Sequence, residues 1–577
     1  MAIRVEGDPW APGLTSEIPA RLMPLATHFR AENAEVSYRE ALELKDLFGL
    51  PLEDLATFNA ERLVIHHLLV RVTADFTQKD GPAYADLGIS VRGMVDLIFQ
   101  NYAKPKLAEM ETLLTEVRTA AQERLTAELD ASVFSKPAPV GSVETRGFLG
   151  LFRKRPKPRK IGFDECVEKA LLAWKKRATE TPDAMEQACL EALDRVVSAQ
   201  IAERGRLIAN ADLIAKLAMR RVSNTYGSDR LGDALVPIID QAAKAEGLRR
   251  LPIQEKPVIM NVKGASASGK STIRAQQRKL AERIGVPWED FALISPDYWR
   301  KYLLEYESLG DDHKYGAMLT GRELEIIDKK LDRYMADKAA KGGISHLLVD
   351  RFRFDSFATE PAHRGTSRLL SRFGHTVYLF FMVTPPEATV ERAWLRGLST
   401  GRFKAVDDLL YHNVEAYTGM PQLFFSWALS NERKVHFEFL DNSVKRGDLP
   451  RTIAFGWNDD MVIVDLDGMK NIDRFKQIDV DAERPDDVYV EQDEHACAFL
   501  RQCVERTKRV RFADQVTGEV TATVLDGKIA WYGDETNGVR AMLDAFGLVT
   551  ADGPLEEDGA SLDIAEAKRF TVGAWGP

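Results

Sequence analysis

Two hydrophobic periodicities divide the chain. From residue 36 to 130 apolar positions recur at three- and four-residue spacing against charged faces, as in Ala60-Glu-Arg-Leu-Val-Ile-His-His-Leu-Leu-Val-Arg-Val72 and Leu107 to Leu129, which predicts an all-α N-terminal region. A second helical block spans 161–247, with helices expected over 163–177, 183–204, 211–221 and 232–246. After Leu251 the pattern changes to short apolar runs at 258–263, 291–294, 344–349, 376–383 and 435–440, separated by helical stretches. Strands alternating with helices predict a parallel sheet. The run Met461 to Asp467 either extends that sheet or opens a C-terminal unit, where a helix at 494–508 and strands at 520–525 and 528–532 are expected.

These changes of pattern place boundaries at 1–134 (helical), 135–160 (linker), 161–250 (second helical region), 251–475 (α/β) and 476–577 (small α+β). In the linker, Pro137, Pro139, Pro156 and Pro158 surround Phe148-Leu-Gly-Leu-Phe152, which runs into Arg153-Lys-Arg-Pro-Lys-Pro-Arg-Lys160. A solvated tether is the favoured reading of 153–160 over a contact with nucleic acid, acidic protein or anionic lipid.

Composition narrows the class. The 577 residues are 45% hydrophobic and 29% charged with a net charge of −10, which fits a soluble protein and argues against bulk attraction to nucleic acid or anionic membrane. The N-terminus lacks the regions of a secretory signal, and no run of roughly 18 uncharged apolar residues offers a membrane span, so a cytoplasmic location is expected. Cys166, Cys189, Cys497 and Cys503 are too few for a disulfide framework, and His495 with Cys497 and Cys503 fits no zinc spacing. His66 and His67, in the most apolar helix, are expected to be packed rather than to be ligands.

One octapeptide carries the strongest chemistry. Gly264-Ala265-Ser266-Ala267-Ser268-Gly269-Lys270-Ser271, followed by Thr272, is a complete G-x-x-x-x-G-K-[ST] phosphate loop between an apolar strand and a helical stretch. About 0.02 chance matches are expected in such a chain, so a ligand-free Gly/Ser turn is disfavoured. The glycines bring backbone N–H groups to the β-phosphate of ATP, Lys270 reaches the β/γ oxygens and Ser271 holds Mg²⁺. Asp297, just beyond the second strand, is placed as a general base for an acceptor hydroxyl, with a helix N-cap as the structural alternative. Arg300, one turn on, would pair with it or hold an anionic substrate group. Asp350 ends the third strand as the magnesium candidate. It is followed by Arg351 rather than the glutamate of a motor ATPase, and Arg351, Arg353 and Asp355 are placed to contact substrate. Arg392 and Arg396 share a helix face after the fourth strand, with Arg402 in a glycine-flanked segment. Together they predict a lid that neutralises the transferring phosphoryl group. Asp441-Asn442-Ser443 would approach the adenine ring.

This order of phosphate loop, strand-ending aspartate, third-strand acid and arginine lid followed by Asp441-Asn442-Ser443 resembles the zeta-toxin-like P-loop kinases over about residues 255–470. The resemblance implies an α/β P-loop kinase core; the pattern of apolar positions sets helical regions before it and a small α+β region after it. The resemblance also implies phosphorylation of a hydroxyl on UDP-N-acetylglucosamine, with Asp297 as base, Lys270 and Ser271 in the phosphate loop, and Arg396 and Arg402 in the lid. The chain has Asp350-Arg351-Phe352 where that family often has Glu-Gly-Thr. Asp297 and Arg300 also match the Asp-x-x-Arg of polynucleotide 5′-kinases. The expected activity is therefore an ATP- and Mg²⁺-dependent kinase acting on a small-molecule hydroxyl, such as a nucleotide sugar or nucleotide, with a protein partner conceivable at the N-terminal helices. Competing readings are a polynucleotide 5′-kinase and a nucleotide-dependent ATPase switch.

Overall fold

Val258–Lys263 is mostly apolar, with Asn261 and Lys263 the exceptions, is buried along all but its first position, and forms the central strand β1. In the computed structural model, which describes residues 7–134, 162–351, 370–430, 432–445, 447–490, 497–533, 537–550 and 561–575, this strand belongs to a ten-stranded sheet. The other strands are β2 (Phe291–Ile294), β3 (His346–Asp350), β4 (Thr376–Val383), β5 (Lys434–Asp441), β6 (Arg451–Trp457), β7 (Asp460–Ile463), β8 (Arg509–Ala513), β9 (Val520–Leu525) and β10 (Lys528–Tyr532). Their spatial order is β10-β9-β8-β7-β6-β5-β4-β1-β3-β2.

The first five strands are parallel. Ile259 lies opposite Leu347 of β3 and Val377 of β4, so β1 is flanked on both sides and its carboxyl end opens between two neighbours. Such a switch point forms a ligand crevice in doubly wound sheets. Beyond β5 the sheet continues through antiparallel pairs β5·β6 and β6·β7, a parallel pair β7·β8, and the antiparallel pairs β8·β9 and β9·β10. The run at 461–467 thus begins as β7, which both extends the parallel sheet and joins it to the C-terminal strands. One core serves both parts. Phe381 stacks on Phe439 with ring centroids 4.6 Å apart, Phe424 meets Phe437 edge-on at 4.8 Å, and Phe499 from the C-terminal region approaches Phe424 at 5.9 Å.

The chain folds into two compact units, each discontinuous in sequence. One comprises Met1–Pro19, Leu69–Val95 and Gly247–Pro577, and the other Ala20–Leu68 and Asp96–Glu246. Within the second unit, side-chain oxygens start three helices: Ser37 caps Tyr38–Phe48, Asp183 caps Ala184–Arg204 and Asn210 caps Ala211–Val222. His66 is fully buried and packs edge-on with Phe58, ring centroids 4.7 Å apart, and His67 exchanges a hydrogen bond with the Ser228 hydroxyl at 2.9 Å, so both are packed as expected. Within the first unit, Leu14 joins Trp394, Phe403 and Ala405 in a small apolar cluster, and Lys314 donates to the Pro12 carbonyl at 2.6 Å.

The C-terminal residues are tied to the sheet by a buried carboxylate. Glu438 on β5 is fully buried and accepts hydrogen bonds from the Thr452 hydroxyl at 2.7 Å and from the backbone N–H groups of Val572 at 2.8 Å and Gly573 at 3.0 Å. Burial pushes its pKa up to about 7 against these donors, which favour the charged form. A carboxyl whose folded pKa is raised contributes stability that is present below its unfolded pKa and lost as pH rises through about 7. Glu438→Ala leaves two buried N–H donors without an acceptor and is expected to lower the unfolding free energy by about 3 kcal/mol, measured by chemical denaturation. An unchanged midpoint would show that these donors find other acceptors.

The expected basic linker at 153–160 and His495 lie outside the described residues. Among the described residues, no helix is long and apolar enough to cross a membrane.

Candidate active site

The phosphate loop joins β1 to a tight turn, Lys270–Ile273, and the helix Arg274–Arg283. Two glycines are required here by geometry. Gly269 has φ +93°, and a Cβ on it would collide with the Asn442 amide; a Cβ on Gly264 would lie 2.6 Å from the Ser268 hydroxyl and 2.9 Å from Met382 Cβ. The Ser268 carbonyl accepts from the Thr384 hydroxyl at 2.9 Å and from Asn442 Nδ2 at 2.8 Å. Thr384 follows β4 and Asn442 follows β5, so the ends of two strands fix the loop from behind. The Asn442 amide, expected near the adenine, is thus engaged in holding the loop. Arg392 donates to the carbonyls of Asn442 at 2.7 Å and Val444 at 3.2 Å, which binds the helix Pro386–Thr400 to the same strand end.

The reacting groups converge at the carboxyl ends of β1, β2 and β3. Lys270 Nζ donates to the Gly264 and Ala265 carbonyls at 3.0 and 2.7 Å. The Ser271 hydroxyl donates to Asp350 Oδ2 at 2.6 Å. A serine hydroxyl and a carboxylate at this separation beside Lys270 supply the hard oxygen donors that Mg²⁺ takes, so the two residues fit the ion. Among the described residues no group of three or more His, Cys, Asp and Glu gathers at a metal site.

Asp297 lies on the short turn Pro296–Trp299 after β2. Its carboxylate is a third exposed and bridges two guanidiniums, Oδ1 accepting from Arg300 Nε at 3.0 Å and Oδ2 from Arg402 at 2.6 Å. The following helix, Arg300–Leu303, has no side-chain cap, so Asp297 does not serve as its N-cap. Burial pushes the Asp297 carboxyl up, but Arg402 and Arg300, with a smaller contribution from Arg396, outweigh this and hold it well below the usual carboxylate range. Arg300 also donates to the Ala317 carbonyl at 2.6 Å and the Thr320 hydroxyl at 2.9 Å, which anchors it within the protein. Arg402, directly after the left-handed Gly401 that ends the helix Pro386–Thr400, therefore reaches from the segment expected to form a lid to the residue expected to act as base.

Arg351 is placed differently from its substrate-contacting expectation. It is buried and pairs with Asp328 and with Asp332, the latter at 2.6 Å, so its charge is spent holding the helix Gly321–Ala340 to the end of β3. Arg353 and Asp355 lie outside the described residues. Thr384 and Asn442 are the positioning residues that sequence reasoning missed for this role; their signal was a polar side chain at a strand's carboxyl end.

Burial pulls the Lys270 ammonium down to about 8, although Asp350 and Asp297 oppose this. A phosphate ligand favours the charged form, so affinity is retained below about pH 8 and lost as pH rises through that value. Isothermal titration with a non-hydrolysable ATP analogue is expected to show a dissociation constant that is flat up to about pH 8 and rises by about tenfold per pH unit above it. A flat profile to about pH 10 would mean that Lys270 keeps its proton in the free protein.

A phosphate loop at the head of a parallel sheet, a strand-ending carboxylate on its serine, and Arg402 reaching Asp297 from just past the helix Pro386–Thr400 make up a P-loop site of the kinase kind. Residues 241–423 match the zeta toxin family model, and this stretch is zeta-toxin-like, which supports an ATP-dependent phosphotransferase of the P-loop kinase type. No curated protein and no solved structure matches the chain.

Proposed function

We propose that the protein transfers the γ-phosphoryl group of ATP to a hydroxyl of a small molecule, a nucleotide or nucleotide sugar. The observation that carries this reading is the bridged carboxylate of Asp297, which meets a lid arginine beside the phosphate loop. Asp350 is followed by Arg351, where a motor ATPase carries the glutamate that polarises its attacking water.

Asp297 accepts the acceptor's O–H hydrogen bond and orients its oxygen toward the γ-phosphorus. As the new P–O bond forms and the bond from phosphorus to the β,γ-bridging oxygen breaks, the hydroxyl proton passes to the Asp297 carboxylate and ADP leaves. A carboxylate held this far below the usual range takes the proton late, when the attacking oxygen has already become acidic. That suits a loose transition state, in which positioning matters more than early deprotonation. Lys270 would neutralise the β- and γ-oxygens, and Arg396 and Arg402 would do so from the lid once the acceptor displaces Arg402 from Asp297. Ser271 and Asp350 would hold Mg²⁺, which would supply further neutralisation of phosphate charge.

The test is incubation of the protein with Mg²⁺, γ-labelled ATP and a fractionated cell extract. Label is expected on a small molecule. Label released only as free phosphate would overturn the kinase reading in favour of an ATPase switch, and label on RNA ends would replace the small-molecule acceptor with a polynucleotide.

A further inference from the structure

The residues 69–95, far outside the segment that matches the family, reach the active site through a buried chain of charges. Asp80 sits in the loop between the helices Ala60–Asp75 and Tyr84–Ile98, and its side chain is only 3% exposed. Oδ1 pairs with Arg274 at 3.1 Å and Oδ2 with Arg278 at 2.8 Å. Both arginines belong to the helix that follows the phosphate loop, and Arg274 opens it, three residues after Ser271. The Arg274 guanidinium, itself 7% exposed, also donates to the Tyr298 hydroxyl. Tyr298 is the residue after Asp297.

Two further contacts brace the same turn from the same stretch of chain. Arg92 donates to the Tyr298 carbonyl at 3.1 Å, and Trp299 Nε1 donates to the Thr73 hydroxyl at 3.1 Å. Gly88 lies so close to this turn that a Cβ on it would sit 2.9 Å from the Tyr298 ring. The turn Pro296–Trp299 is thus fixed on one side by strand β2 and on the other by residues more than two hundred positions earlier in sequence.

We propose that Asp80 is a positioning residue for phosphoryl transfer: through Arg274 it holds Tyr298, and with it the turn that carries Asp297, in register with the phosphate loop. This rests on Asp297 being the base. The chain of bonds joins the two parts whose separation sets the reaction geometry, namely the helix continuing from Ser271 and the turn bearing the carboxylate. Aligned reacting atoms are worth several orders of magnitude in rate, and a displacement of about 1 Å costs about 100-fold. Bonds inside a buried, low-dielectric network are the ones that enforce such alignment.

The test compares the full-length wild type with Asp80→Asn, Asp80→Glu, Tyr298→Phe and the Asp80→Asn/Tyr298→Phe double variant. Asp80→Asn is expected to lower kcat by about 10- to 100-fold while the dissociation constant for a non-hydrolysable ATP analogue stays within about threefold, and to speed amide hydrogen exchange at residues 297–300. Asp80→Glu, which keeps the charge, is expected to recover part of kcat. Tyr298→Phe leaves both ion pairs of Asp80 intact and so remains informative if Asp80→Asn does not fold; it is expected to lower kcat by about fivefold to tenfold. The double variant should be no slower than Asp80→Asn, because both act through one connection. Unchanged kcat in Tyr298→Phe together with unchanged exchange at 297–300 would overturn the proposal, as would additive losses in the double variant. Absence of transfer by the wild type would overturn the kinase reading instead, and the exchange rates at 297–300 would still decide whether Asp80 holds the turn.

Discussion

Asp297→Asn is expected to lower phosphoryl transfer by about 10²- to 10⁴-fold while nucleotide binding persists, measured by label transfer alongside calorimetric titration of an ATP analogue. The two effects separate because Lys270 bonds the Gly264 and Ala265 carbonyls and Ser271 bonds Asp350, whereas the two carboxylate oxygens of Asp297 serve Arg300 and Arg402. Asparagine keeps the size and one acceptor oxygen, but its amide nitrogen would face one of those guanidiniums donor to donor. Removing the negative charge therefore also releases the lid arginine, and the Michaelis constant for the acceptor should rise with the fall in kcat. Transfer within about threefold of wild type would eliminate Asp297 as base and leave its ion pairs as a lid latch alone.

Lys270→Ala is expected to abolish measurable nucleotide binding and to reduce transfer by at least about 10³-fold. The ammonium already lies against the Gly264 and Ala265 carbonyls at the bend of the loop, so it needs only to turn outward to meet the β- and γ-oxygens. Alanine removes the one cation carried by the loop itself. A switch that merely hydrolyses ATP would also fail on this change while tolerating Asp297→Asn, so the pair of variants separates transfer from hydrolysis. Retained binding in Lys270→Ala would place the phosphates elsewhere.

The catalytic half of the sheet was legible in the sequence because its strands are buried on both faces and are dominated by apolar residues, with polar ones such as Asn261, His436 and Glu438 interspersed. The observed bounds of β1, β2, β4 and β5 fall within a residue of the runs read from the sequence. β6 and β8 were not foreseen. Arg451-Thr-Ile-Ala-Phe-Gly-Trp457 and Arg509-Val-Arg-Phe-Ala513 interleave charged or small residues with apolar ones, and only pairing with β5 and β7 makes them strands. The phosphate loop, Asp297 and Asp350 could be placed at the carboxyl ends of β1, β2 and β3 because each role expected of them demands one residue type at one end of a strand. Arg351 was misleading for the same reason in reverse: a charged residue past a strand looks available until Asp328 and Asp332 are seen to claim it. Asp80 carried no local signal at all, since its partner Arg274 is 194 residues away.

The match to the family stops at residue 423, before β5 begins at Lys434. A fragment cut at those limits would end with β4 as a bare border, its partner missing along all eight positions from Thr376 to Val383. That border carries Phe380, Phe381 and Met382, side chains that are fully buried in the intact chain. Unpaired apolar strands of this kind recruit copies of themselves. Expression limits for this protein should therefore follow the hydrogen-bonded width of the sheet rather than the extent of the recognisable sequence.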